Sequence, residues 1–280
     1  MTIPASLHDQ RIARWRQTPA TRLASPADAA RLLDQLGVVT LFPVSPEVPN
    51  FFQAYLGDPD APTDSGHDTP SGEVYSWRWT LGRQEAGFYT TIVRNRPTWV
   101  SWPLVPAILR LRGDLRSPGA IHAAGELSSD ALRVASALAT AGGVLTTGEL
   151  RRAAGFPTGK EQRAAYLRAV AELDSRLLLA KVFAPDDLDM RHALVSTRYP
   201  QHVSAATALT RETALDEFLR AYLPAAVYAV PPVLARHLGL PEAELRAGLE
   251  RLVSANLAAP ITLESHKGAC YTWVADSAAT

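Results

Sequence analysis

Two groups of basic residues, one polar loop and one aromatic block carry most of the chemistry this chain can offer. Between Arg151 and Lys181 stand seven basic residues (Arg151, Arg152, Lys160, Arg163, Arg168, Arg176, Lys181) against three acids. From Arg94 to Arg116 there are five arginines and one acid, Asp114. Guanidinium and ammonium groups gathered on one element suit phosphate oxygens and guanine edges. Arg151, Arg152, Lys160, Arg163, Arg168, Arg94 and Arg96 are therefore expected to contact double-stranded DNA, and Lys267, at a hairpin turn, to meet phosphate. The competing assignment for each is an ordinary solvated basic surface. Asp64, His67 and Asp68 form the best polar cluster, because an imidazole beside a carboxylate can serve as a general base near neutral pH. Acids and a histidine spaced along a loop also occur with no chemistry attached. Trp77, Trp79 and Tyr89 can line a pocket that stacks an extruded base. Large aromatics also fill cores, and two of these three are expected to do so. The sole cysteine, Cys270, has no neighbouring base to activate it. The scattered histidines leave no zinc spacing, so neither metal nor cofactor is expected.

The main basic group lies on a stretch that reads helix, turn, helix, strand. Thr146-Thr147 opens the first helix, with Glu149 at its positive end, and Gly155 closes it. The second helix spans Lys160 to Ser175, with Tyr166, Leu167, Val170 and Leu173 as its apolar stripe. Leu177 to Val182 then leaves the helical period and enters a hairpin whose tip carries Asp186, Asp187 and Asp189. This order is that of a winged helix-turn-helix. It recurs: shifted by 84 residues, Leu150, Arg152 and Gly155 fall on Leu234, Arg236 and Gly239, and shifted by 79, Leu173, Ser175 and Leu178 fall on Leu252, Ser254 and Leu257. Repeats of this kind decide the fold.

Upstream, Ser25-Pro26 begins a helix that Gly37 ends, and Val38 to Phe42 is a buried strand. Residues 1–24 show no period. Tyr75, Trp77 and Trp79 alternate strictly, so YSWRWTLG and GFYTTIVRN read as two strands joined by RQEAG. Gly113 to Gly125 reads as a linker and Glu126 to Ala141 as a helix. The expected fold is α+β: tandem winged helix-turn-helix modules with an inserted aromatic-rich β-hairpin segment. The expected divisions are 1–60 (helix and strand), 61–125 (aromatic insert and linker), 126–205 (winged helix) and 206–280 (C-terminal winged helix).

Composition sets the outer bounds. The 280 residues balance 28 basic against 28 acidic side chains, which weighs against a uniformly basic nucleic-acid surface and leaves the local grouping to carry that role. No apolar run reaches the 18 residues of a membrane span, and the first 25 residues carry charges throughout, unlike a secretory signal. A single cysteine fits a reducing cytoplasm. Oligomeric state leaves no mark in the sequence.

Three stretches, LDQLGVVTLFP, GGVLTTGELRRAAGF…RAVAELDSRLLLAKVF and AVYAVPPVLARHLGL…LERLVSANLAAPI, resemble the AlkZ family of bacterial DNA glycosylases, the family that includes YcaQ, over roughly Ser25 to Val274. The resemblance implies tandem winged helices forming a concave DNA-binding surface, and a chemistry that excises alkylated or crosslinked purines. The family's Gln-x-Gln or Gln-x-Asp pair follows the Leu-Gly that ends an early helix. Thr40 and Phe42 stand at those positions here. Thr40 can hold a water and Phe42 cannot, whereas base excision needs a carboxylate or acceptor near the sugar. The chain thus resembles an AlkZ-related branch that binds damaged or structured DNA. Two alternatives stand beside it: an active alkylpurine glycosylase whose water is held by Thr40 or the Asp64–Asp68 loop, and a winged-helix scaffold for protein contacts.

Overall fold

The computed structural model describes residues 5–185, 189–263 and 266–274. Helix α1 (Ala5–Arg14) precedes three units built in one order: helix, short strand, two helices, hairpin. The first unit comprises α2 (Pro26–Leu36), β1 (Val38–Thr40), α3 (Phe51–Leu56), α4 (Pro70–Arg83), β2 (Phe88–Val93) and β3 (Arg96–Val100). A helical turn at Trp102–Leu104 leads into α5 (Val105–Arg112) and α6 (Pro118–Ala123). The second unit is α7 (Ser129–Ala141), β4 (Leu145–Thr146), α8 (Thr147–Ala153), α9 (Lys160–Ser175), β5 (Leu179–Phe183) and β6 (Met190–Leu194). Helices α10 (Val195–Arg198) and α11 (Pro200–Ala208) connect it to the third: α12 (Arg211–Ala226), β7 (Tyr228–Ala229), α13 (Pro231–Leu238), α14 (Glu242–Ser254), β8 (Ala258–Ile261) and β9 (Cys270–Trp273). Each unit folds its strands into an antiparallel sheet with the last strand in the middle: β1-β3-β2, β4-β6-β5 and β7-β9-β8. Val39 thus sits opposite Trp99, Leu145 opposite His192 and Ala229 opposite Tyr271. The aromatic hairpin accordingly belongs to the same sheet as Val38–Thr40.

Local signals set the helix ends. The Ser25 hydroxyl accepts from the Asp28 amide at the start of α2, Pro26 occupies the first turn, and Gly37 follows at φ +78°. Thr146 and Glu149 form a reciprocal capping box on α8, and α9 covers Lys160–Ser175 as its pattern predicts. One member of the expected stripe is misplaced, however. Tyr166, Ala169 and Leu173 are buried, while Leu167 is 50% exposed, because it lies on the opposite side of the helix from Leu173.

Other expectations are corrected. Tyr75, Trp77 and Trp79 are helical, not a strand: the Thr69 hydroxyl caps α4, Pro70 sits in its first turn, and Val74, Trp77 and Leu81 bury one stripe at helical spacing. An alternating aromatic triplet satisfies a period of two, and only the cap and the longer stripe decide between helix and strand. Residues 5–14, without a readable period, form α1, which docks on the third unit. The expected linker contains α6. Ser128 caps α7, which begins there rather than at Glu126. Asp186 and Asp187, assigned to a hairpin tip, lie outside the described residues; Asp189 is exposed beside β6.

One apolar core runs through the first and third units, from Leu32, Val39, Phe52 and Trp99 to Phe218, Leu219, Leu223 and Leu249. The second unit has its own core, which includes Leu138, Leu150, Tyr166 and Leu173. Leu177, Ala180, Phe183 and Ala193 of the second unit join the first core instead, and Phe183 reaches furthest into its aromatic group. Its ring sits against Trp79 (5.5 Å), Tyr89 (5.5 Å) and Trp99 (6.0 Å) of the first. Gly82 makes the room, since a Cβ there would lie 2.1 Å from the Phe183 ring.

Candidate functional site

The segment after β1 carries the first set of candidate residues. Thr40 is fully buried, and its hydroxyl donates to the Phe42 carbonyl at 2.8 Å, with the Pro49 carbonyl at 3.3 Å. Phe42 is half-buried, its ring 5.9 Å from that of Phe52. The chain then turns Glu47 inward, leaving it 2% exposed. Its carboxylate meets the Arg11 guanidinium at 3.3 Å and accepts from the Val230 amide at 2.9 Å and the Tyr222 hydroxyl at 3.1 Å. Burial raises the Glu47 pKa above the ordinary glutamate value, and Arg11, Val230 and Tyr222 oppose it. Arg11 also donates to the Ala226 (2.7 Å) and Pro46 (2.8 Å) carbonyls and to that of Tyr228, and its guanidinium lies 3.3 Å above the Tyr228 ring. This clasp ties α1, the 43–49 loop and the third unit together.

Beside the clasp is a cavity of about 510 Å³ whose lining includes Trp15, Ser45, Gln53, Asp60, Arg94 and His237. His237 Nδ1 is hydrogen-bonded to the Ser45 hydroxyl at 2.6 Å. Burial, and then Arg94 and Arg236, lower its pKa, so the imidazole is neutral at pH 7. Arg94 stands at the exposed tip of the first hairpin, with its amide bonded to the His237 carbonyl at 3.1 Å and a guanidinium nitrogen 3.2 Å from the Val44 carbonyl. The cavity is therefore polar, with both Arg94 and Asp60 in its lining. The one carboxylate buried beside it, Glu47, is already committed to Arg11. Arg96 is exposed at the start of β3, and Lys267 is exposed in the turn before β9.

The Asp64–Asp68 loop makes no hydrogen bond to the Thr40 hydroxyl among the described residues. Asp64 accepts from the Ser71 amide at 3.0 Å, and this bonding to Ser71 and Thr69 lowers its pKa, so its carboxylate helps to start α4. His67 and Asp68 are exposed. Trp77 is 1% exposed, donates to Glu73 at 2.9 Å and meets Tyr55 edge-on. Trp79 packs on Phe183. Tyr89, whose hydroxyl burial raises to a pKa of about 12, lines a separate cavity of about 320 Å³ with Trp99, Phe183, Lys181 and Arg198. The structure thus separates Trp77, packed on Tyr55, from Trp79 and Tyr89, which share the Phe183 ring.

The basic residues of the second unit divide by role. Arg151 donates to the Pro157 carbonyl at 2.6 Å and braces the α8–α9 turn. Arg152 is exposed, with its Nε 3.4 Å from the Gly148 carbonyl. Lys160, Arg163 and Arg168 are exposed on α9 and have no hydrogen-bond or ion-pair partner among the described residues. By their helical spacing they share the solvent face with Leu167. Among the described residues no cluster of His, Cys, Asp and Glu side chains can hold a metal ion, and no helix is long and apolar enough to cross a membrane.

The sequence does not single out Arg11, Glu47, Tyr222 or His237. The only readable signal was an acid inside an otherwise apolar, Pro-rich turn.

The family model described as AlkZ related matches residues 23–218, and the chain belongs to that family. Among solved structures it is similar to the Streptomyces sahachiroi DNA glycosylase AlkZ, with a TM-score of 0.56 and 16% identity over 96% of this chain and 71% of that one. The likeness is one of fold: a mixed α/β chain with many helices and small antiparallel sheets. No curated protein sequence matches it.

Proposed function

We propose that this protein binds double-stranded DNA through three winged-helix units and does so as a reader of damaged or structured DNA. The observation that carries this is the exposed face of α9. Among the described residues Lys160, Arg163 and Arg168 have no side-chain partner there, on the helix that precedes the hairpin, while most other arginines are tied to carboxylates or carbonyls. In a winged helix this element enters the major groove. Family membership, and the glycosylase activity in the name of the structural relative, support DNA as the partner. Zero net charge fits contact through a local patch. Leu167, exposed among the cations, can meet a thymine methyl.

Catalysis is a weaker fit. Hydrolysis of a glycosidic bond needs a carboxylate or acceptor that holds water near the sugar. Thr40 is buried with its proton given to a backbone carbonyl, Phe42 has no acceptor, and Glu47 neutralises Arg11. The reading is tested by a salt-series titration on duplexes carrying an abasic analogue or N7-alkylated guanine, with undamaged duplex as control and base release assayed in the same mixtures. Neutralising Lys160, Arg163 and Arg168 together lowers the slope of log K against log salt by roughly one per lost phosphate contact. No binding at low salt overturns the DNA reading and leaves a protein-contact scaffold. Base release overturns the non-catalytic one.

A further inference from the structure

A second polar cavity, of about 480 Å³, lies where the first unit hands over to the second. Arg110 and Arg112 reach it from α5, Asp114 and Arg116 from the segment that follows, Arg176 from the end of α9 and Thr207 from α11. Four guanidiniums thus face one carboxylate. Asp114 is shared between Arg116 at 2.7 Å and Arg176 at 3.6 Å, and the hydrogen bond from Arg116 is the main reason its pKa is lowered. Arg116 also reaches Glu126 at 2.7 Å. Two arginines remain without compensation. Arg112 spends one nitrogen on the Gly239 carbonyl at 2.6 Å, while its Nε is shielded from water and has no acceptor among the described residues. Arg110 makes no hydrogen bond or ion pair among the described residues, and its Nε is likewise shielded. Arg112 is made less basic by burial and then by repulsion from Arg211.

Shielded guanidinium donors without acceptors are rare in folded proteins, because each forfeits its bonds to water. Here two of them line one cavity with Arg116 and Arg176, whose two charges are matched by Asp114 and Glu126, so the surplus charge of the wall belongs to Arg110 and Arg112. A tetrahedral dianion suits the surplus positive charge, since its oxygens accept from the outer nitrogens of several guanidiniums at once. We propose that this cavity is a phosphate-binding site, taking either a small phosphate ester or a backbone phosphate of nucleic acid. Arg110 and Arg112 are its primary donors, and Arg116 and Arg176 complete the positive wall.

The test uses the full chain and inorganic phosphate as the probe. Thermal unfolding is followed against phosphate concentration, with chloride at matched ionic strength as reference. A ligand that binds only the folded chain raises the melting temperature in a saturable way. The expected result is a saturable rise for the wild type. In Arg110→Gln the phosphate needed for half of that rise increases roughly tenfold or more, as loss of a charge-assisted donor implies. Arg220→Ala, exposed on α12, leaves the response unchanged. Arg110→Lys keeps the charge without the planar fork and is expected to fall between, which guards against a merely unfolded variant. Titration of duplex DNA then separates the sources. A salt slope lowered by about one in Arg110→Gln identifies a backbone phosphate, and an unchanged slope with the phosphate response lost identifies a small ester. Equal stabilisation by phosphate and chloride, or an undiminished phosphate response in Arg110→Gln, overturns the proposal. The phosphate arm does not depend on whether the protein binds DNA.

Discussion

Replacing Glu47 by alanine is the sharpest probe of how the molecule is held together. The carboxylate is 2% exposed and faces an Arg11 side chain that is only 5% exposed. Its removal strands that guanidinium, and the Tyr222 hydroxyl and Val230 amide each lose an acceptor. Breaking one half of a buried ion pair typically costs about 3–5 kcal/mol. For a chain of this size, at roughly 2–4 °C per kcal/mol, the melting temperature should fall by roughly 6–20 °C. The assay is thermal and urea unfolding by circular dichroism, with Arg11→Met/Glu47→Leu as the companion. The double variant removes both charges at similar volume, so it should recover at least half of the loss. A cost for Glu47→Ala below about 1 kcal/mol, the value of a solvated pair, would refute the clasp and with it the docking of α1. The pH dependence gives a second readout. Burial raises the folded pKa of Glu47 above its ordinary value of 4.5, so the folded chain holds this proton more tightly than the unfolded one. Stability from this group is therefore full below about pH 4.5 and declines as pH rises beyond it. Glu47→Gln should remove that decline.

Gly82→Ala places a methyl where the Phe183 ring sits and is expected to destabilise by about 1–3 kcal/mol or more; Phe183→Leu in the same chain should restore part of the loss in a thermal melt, and failure to do so would place the strain elsewhere. His192 is buried with Thr147 3.1 Å from its Nε2, and burial, then Lys181, lower its pKa to about 3. The unfolded chain takes this proton near pH 6.5 and the folded chain only near 3, so stability is full above 6.5 and is lost as pH falls between the two, by up to about 1.4 kcal/mol per pH unit. His192→Gln should flatten the acid limb of a stability–pH curve, and an unchanged limb would count against a neutral buried imidazole.

Much of the fold was legible because its signals are local. Ser25 with Pro26, Thr146 with Glu149, and Gly37 and Gly155 mark helix ends within one turn, and the recurrence at Leu234 and Gly239 revealed two matching units. The third match, in the first unit, was hidden: its sheet joins Val38–Thr40 to a hairpin some sixty residues later, and Trp77 and Trp79 mimicked a strand until the Thr69 cap is taken into account. The candidate site was legible where exposure alone matters, as at Lys160, Arg163 and Arg168. It was illegible where meaning depends on distant partners. Nothing near Glu47 announces Tyr222, which lies 175 residues away, and nothing near His67 announces that its loop partner Asp64 serves a helix start.

The clasp also sets a timetable for synthesis. Arg11 and Tyr228 are separated by 217 residues, and the core of the first unit is completed by α12. At roughly 5–20 residues per second, the first unit, complete at Val100, would wait about 6–25 s for α12 to leave the ribosome. The closing of so long a loop is itself slow. The second unit, with a core drawn from contiguous sequence, can close in the meantime. The chain should therefore fold from its middle outward, with the apolar faces of α2 and β1 exposed until the far end arrives, and this interval is when it most needs protection from aggregation.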